Sequence, residues 1–186
     1  MEKPTQTGIE KICSKIVSDF ISDNVRFFRF RETIKWGFVK NEDISIIASV
    51  NRRTNVVNVN FNSVVHAWLI NDLTTIEYFL LHEIRHVFQH LMIHDFQNNE
   101  PVSFPADIIE KWIFEMNHYV QALDKEGNEN KEYFLQDCEM DAYAFSYAVM
   151  KYKYKNVEKL YLPPIYGKEF FSIVDDFIDT FREEKL

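Results

Sequence analysis

Two histidines four residues apart with a glutamate between them, His82-Glu83-Ile84-Arg85-His86, restrict this chain more than anything else in it. On an α-helix, positions i and i+4 share one face a turn apart. Both imidazoles can then grip one zinc ion, while Glu83, one step round, reaches the water beside it. The neighbouring sequence supplies the helix. From Asp72 to Phe96, Ile76, Phe79, Leu80, Ile84, Val87, Phe88 and Leu91 recur at three- and four-residue spacing, with Asp72 as the N-cap. The motif falls mid-helix, where its geometry is useful.

Two histidines do not complete such a site, because catalytic zinc keeps three protein ligands and one open position. A histidine six residues after His86 would mark one metallopeptidase branch, but that position is Met92, and the usual intervening glycine is Gln89. The best third ligand lies in Gln136–Ser146, where Glu139 and Asp141 interrupt an apolar stripe of Phe134, Leu135, Ala142, Phe145 and Val149. Burying an unpaired carboxylate there is costly, and a metal or a hydrogen-bonded histidine relieves it. Glu139, Ala142, Tyr143 and Ser146 share one helical face, whose small members permit close approach to the HExxH helix. On the residues alone, Asp141, His118 and His90 stay open as alternatives to Glu139. His94 and His66 read as solvated or structural groups, and Cys138 as a buried, inert thiol.

The rest of the chain frames these segments. Residues 7–23 predict a first helix. Ile34–Val39, Ile44–Val50 and Val56–Phe61 predict three strands, the last two joined by the polar loop Asn51–Asn55. Val57, Val59 and Phe61 alternate with Asn58 and Asn60, the mark of a strand with one wet face. After the HExxH helix, Pro105 opens a helix to Leu123, and further helices span Lys131–Lys153 and Lys168–Arg182. The expectation is one α+β domain over residues 1–186, with a small antiparallel three-stranded sheet and about five helices. Hydrophobic residues make up 46%, with 17 Phe, 9 Tyr and 3 Trp, enough for a real core.

Charge and cysteines narrow the function classes. A net charge of −8 argues against a nucleic-acid binder, and the basic residues Arg26, Arg29 and Arg31 read as solvated charges. Only two cysteines occur, without CxxC spacing, and no apolar run approaches membrane-spanning length. A soluble cytoplasmic protein with no membrane partner is expected.

HEIRH followed by Glu139-x-Asp141-Ala142-x-x-Phe145-Ser146 resembles the gluzincin-type metallopeptidases of the ImmA/IrrE group, whose second motif commonly runs E-x-E-A-[ND]-x-F-A. The resemblance spans roughly residues 34–150 and implies a zincin-like fold. It implies one Zn²⁺ per chain held by His82, His86 and Glu139, with Glu83 as general base. It further implies a peptide or protein substrate, often a single intracellular regulator, lying along an edge strand. Relatives stabilise the oxyanion with a Tyr or His, for which Tyr143, Tyr119 and His118 are the candidates here. Three positions depart from the pattern: Asp141 for Glu, Tyr143 for Asn or Asp, and Ser146 for Ala. The Tyr143 change leaves Asp141 or Asp137 to orient a ligand histidine. A catalytically idle metal-binding module and a helical interaction protein without metal are the competing classes.

Overall fold

A computed structural model of the protein describes residues 6–28, 33–154 and 157–186. Arg29 and Arg31 of the basic cluster lie outside the described residues. The element order is α1 (Gln6–Asn24), β1 (Lys35–Val39), β2 (Ala48–Asn51), β3 (Val56–Asn60), α2 (Phe61–Ile70), α3 (Thr74–Gln97), α4 (Ala106–Asn117), α5 (Lys131–Phe134), α6 (Asp137–Lys153) and α7 (Lys168–Glu183), with a 3₁₀ turn at Val25–Phe27. This is the expected α+β arrangement, a small three-stranded sheet packed with helices, and α3 carries HExxH in its middle.

The sheet order is β1-β3-β2, and the sheet is mixed where an antiparallel one was expected. β2 and β3 form the predicted hairpin, Asn51 opposite Val56, with Asn55 in the left-handed region (φ 52) that asparagine tolerates. β1 pairs with β3 in parallel, Trp36 opposite Val57 and Phe38 opposite Val59. β1 and β3 both run against β2, so placing β1 beside β3 makes that pair parallel. Alternation of side chains fixes which face is buried; it carries no information on strand order.

Element boundaries also differ: β2 begins at Ala48 instead of Ile44, and α4 ends at Asn117 instead of Leu123. α2 takes in Phe61, expected as a strand end, and residues 62–70, for which no element was expected, and Asn60, expected on a wet face, is 1% exposed. Its Oδ1 accepts the Asn62 N–H as an N-cap (3.1 Å), and its amide donates to the carbonyls of Asp43 (3.0 Å) and Ile46 (2.9 Å). The helix expected over Lys131–Lys153 breaks before Asp137, because Gln136 turns extended and bonds the backbone of Val120 through both ends of its amide (3.0 and 3.3 Å). Asp72 does not cap α3 through a backbone N–H. Its carboxylate instead accepts the hydroxyls of Thr74 (2.8 Å) and Thr75 (3.3 Å).

α3 runs between two groups of apolar side chains. Ile76, Leu80, Leu81, Ile84 and Val87 belong to the larger core, while Phe88 and Met92 join Ile109, Trp112 and Cys138 under α4. α7 lays Phe170, Val174, Ile178 and Phe181 on the core beside α6, each such burial stabilising the fold by roughly 1.5–3 kcal/mol. Both cysteines are free and buried. Among the described residues no helix is long and apolar enough to cross a membrane.

Candidate metal centre

α3 buries five polar side chains, Glu77, His82, Arg85, His86 and Gln89. Buried polar groups require partners, so what these residues meet defines the site. The partner for the histidines comes from α6. Ala142 and Ser146, both fully buried, let α6 pack closely on α3. The start of α6 is held from outside: the Glu115 carboxylate on α4 accepts the N–H groups of Asp137 (2.7 Å) and Cys138 (2.9 Å). It thereby satisfies two of the donors that a helix N-terminus leaves unpaired. Glu139 follows in the same turn and is fully buried against both histidines.

His82 Nε2 lies 3.3 Å from Glu139 Oε2, His86 Nε2 lies 3.4 Å from Glu139 Oε1, and the two Nε2 atoms are 3.1 Å apart. Zinc bonds of about 2.0–2.2 Å at tetrahedral angles separate ligand atoms by about 3.3–3.6 Å. The observed spacings are of that order, with each histidine meeting a different oxygen of the Glu139 carboxylate. Glu139 Oε2 is also buried without a hydrogen-bond partner among the described residues, an orphaned acceptor that a cation would satisfy. His82, His86 and Glu139 can together hold a metal ion.

The electrostatics agree. Burial alone would raise the Glu139 carboxyl, but the His86 charge and the close approach of both imidazoles hold it well below the usual range. Burial pulls the His86 imidazole down, yet the Glu139 charge and hydrogen bond, with smaller contributions from Glu83 and Gln89, raise it on balance to about 9. The ion-free cluster is therefore a carboxylate facing a protonated His86.

Gln89 sets the orientation of His86. Its amide nitrogen donates to the Cys138 carbonyl (2.9 Å) and to Asp141 Oδ2 (2.8 Å), which leaves its oxygen to accept His86 Nδ1–H at 2.8 Å. Asp141 is gripped in turn by Arg85 through Nε (2.7 Å) and a terminal amino group (2.9 Å). The order Arg85–Asp141–Gln89–His86 keeps His86 Nε2 turned toward His82 and Glu139. Asp141 thus orients His86 at one remove, while Asp137 pairs with Lys111 (3.1 Å) at the surface. Gln89→Met should weaken metal binding about 10–100-fold, as removal of such an outer partner does. A competition titration with a chromophoric chelator measures this, and an unchanged affinity would remove Gln89 from the site.

A cavity of about 230 Å³ opens beside the cluster, lined by Glu83, His86, His90, Tyr119, Glu139 and the edge strand β2 at Ala48, Ser49 and Val50. Tyr119 donates its hydroxyl to Glu139 Oε1 (2.7 Å), and Arg52 stacks on its ring, 3.7 Å from the centroid. Tyr143 stands elsewhere. It is 5% exposed, its ring centroid lies 4.2 Å from that of His82, and it does not line the cavity. Of the alternative ligands, His90 lines the cavity with Nδ1 on Asn55 Oδ1 (2.8 Å), held down to about pKa 4 by burial, by His86 and by Arg52. His118 is exposed and stacked on Phe114, and His66 and His94 are exposed too.

Sequence reasoning passed over the roles of Gln89, Arg85 and Glu115, and read Arg52, with Arg53, as an ordinary solvated charge. None of them is a specified position of a motif, Arg85 filling a free place within HEIRH, and each depends on a tertiary contact. Gln89 alone carried a signal, as an amide on the buried face of an apolar helix. Comparison with protein-family models, with curated proteins and with solved structures finds no match to this chain. What fold and site define is an α+β protein with a buried two-histidine, one-glutamate cluster able to hold a metal ion.

Proposed function

We propose that the chain is a zinc metallopeptidase of the gluzincin type, similar to the ImmA/IrrE group, cleaving a peptide or protein substrate. The observation that carries this reading is the close approach of His82 Nε2, His86 Nε2 and the buried Glu139 carboxylate, with Glu83 on the wall of the adjoining cavity. Two nitrogens and one carboxylate suit zinc, and three protein ligands leave a position open. When bound there, zinc would supply a Lewis acid that activates water and polarises a carbonyl.

The chain's own residues divide the remaining work. Glu83 takes a proton from the attacking water and delivers it to the leaving amine. Tyr119 is the oxyanion donor, since its hydroxyl already reaches the ligand set from the cavity wall; Tyr143 acts by packing against His82. Arg52, stacked over Tyr119, holds that ring in place. β2 is an edge strand on the cavity, so an extended peptide can add to it as a further strand with its scissile bond over the cluster.

Elemental analysis of tag-free wild type and Glu139→Ala, purified side by side without added metal, tests the reading. Close to one zinc per chain is expected in wild type and little in the variant. With His86 raised to about 9, it is protonated at pH 7 in the ion-free protein and must lose that proton to become a ligand. Zinc titration at pH 7 should therefore release nearly one proton, read by calorimetry in buffers of different ionisation enthalpy. Zinc absent even after it is supplied would leave a helical interaction protein.

A further inference from the structure

On the far side of Arg85 and Asp141 from the metal cluster lies a second cavity, of about 430 Å³. Phe104, Trp112, Phe145 and Phe177 are among its walls, and the Arg85–Asp141 pair lines it as well. The size lies within the range of small-molecule sites, and mostly apolar walls with a few placed charges are their usual construction.

The charges decide what the cavity accepts. Two cations, Arg85 and Lys111, face four carboxylates, Asp137, Asp141, Glu169 and Asp176. Arg85 is already engaged, bidentate on Asp141 and with its guanidinium 4.3–5.2 Å from the ring centroids of Phe88, Phe104, Phe145 and Phe177. Lys111 is engaged by Asp137 at 3.1 Å. That leaves Glu169 and Asp176, exposed on α7 and without an ion pair among the described residues. Seven residues apart, they face the same way about two turns apart. An anionic ligand would meet two uncompensated carboxylates and no free cation. A cationic one gains their field and the faces of the aromatic walls.

We propose that this cavity binds a small free organic ammonium compound with an aromatic or aliphatic body. The apolar body enters between Phe104, Trp112 and Phe177, and the ammonium group stays at the α7 lip near Glu169 or Asp176. The proposal does not rest on the metal reading: the Arg85–Asp141 pair is shared with the bonds that orient His86, but Phe104, Trp112, Phe177, Glu169 and Asp176 take no part in them.

2-Phenylethylammonium and 3-phenylpropionate carry the same ring at similar reach with opposite charge, which makes them suitable probes. Binding to the full chain is followed by the NMR shift of the Trp112 indole N–H, assigned with Trp112→Phe, and by calorimetry. The ammonium compound should bind at least tenfold more tightly than the carboxylate. Glu169→Lys combined with Asp176→Lys changes only exposed positions, so the fold should persist, as circular dichroism will check. In that variant the preference should reverse. Equal affinities, no binding by either probe, shifts confined to residues outside the cavity, or an unchanged preference in the double variant would each overturn the proposal.

Discussion

Glu83→Gln should leave bound zinc at the wild-type level while lowering peptide hydrolysis about 10²–10⁴-fold, the usual contribution of a positioned general base. The substitution keeps the side chain's shape and removes its basicity. Glu83 is half-buried on the cavity wall and makes no hydrogen bond among the described residues, so the change should not disturb the fold. A proteome-derived peptide library, with new N-termini read by mass spectrometry, supplies the assay before any substrate is known. The result separates two classes that share the same ligands. A peptidase loses turnover and keeps metal. A metal-holding recognition module keeps both its metal and its biological effect. Cleavage by Glu83→Gln at the wild-type rate, under conditions where Glu139→Ala is inactive, would take the proton-transfer role away from Glu83.

The site's skeleton was legible because it is written in helical spacing. His82 and His86 are four apart, and Glu139 interrupts an apolar face; both patterns survive without knowledge of the tertiary structure. What surrounds the skeleton was less legible, for physical reasons. Gln89 matters through bonds to residues 49 and 52 positions away, and Glu115 through the first turn of a helix more than twenty residues on. Tyr119 and Tyr143 are both aromatic hydroxyls near the site in sequence order, and only packing puts the first on the cavity and the second behind His82. The sheet shows the same limit. The three strands were readable from β-rich runs, whereas the parallel β1–β3 pairing follows from strand order, which side-chain alternation does not encode. Asn60 was misplaced for a related reason: an asparagine that caps a helix and one that faces water look alike in sequence.

The largest stability effect is expected at Glu77, in the first turn of α3. Its carboxylate is 1% exposed and accepts bonds from Asn24 Nδ2 (2.7 Å) and Tyr154 Oη (2.7 Å), and from the Lys153 ammonium. Asn24 Oδ1 also accepts from Lys153, at 3.0 Å. One charge thus ties the end of α1 and the end of α6 to the start of α3. Removing it strands a mostly buried ammonium, and breaking such a pair costs about 3–5 kcal/mol. For a domain of this size that corresponds to a fall in Tm of about 6–20 °C. Lys153 is 15% exposed and able to lean partly toward solvent, which puts Glu77→Ala toward the lower end. Glu77→Met combined with Lys153→Met removes both charges and should lose less stability than Glu77→Ala alone. Urea unfolding of the single and double variants measures the difference. A double variant less stable than the single would mean that the pair contributes net attraction, instead of matching α1, α3 and α6 at the expense of two desolvated charges. The metal site shares the outcome, because His82 lies five residues, about 7.5 Å of helix, beyond Glu77. If this end of α3 loosens, His82 should shift against Glu139, and zinc affinity should fall in Glu77→Ala although no ligand has changed.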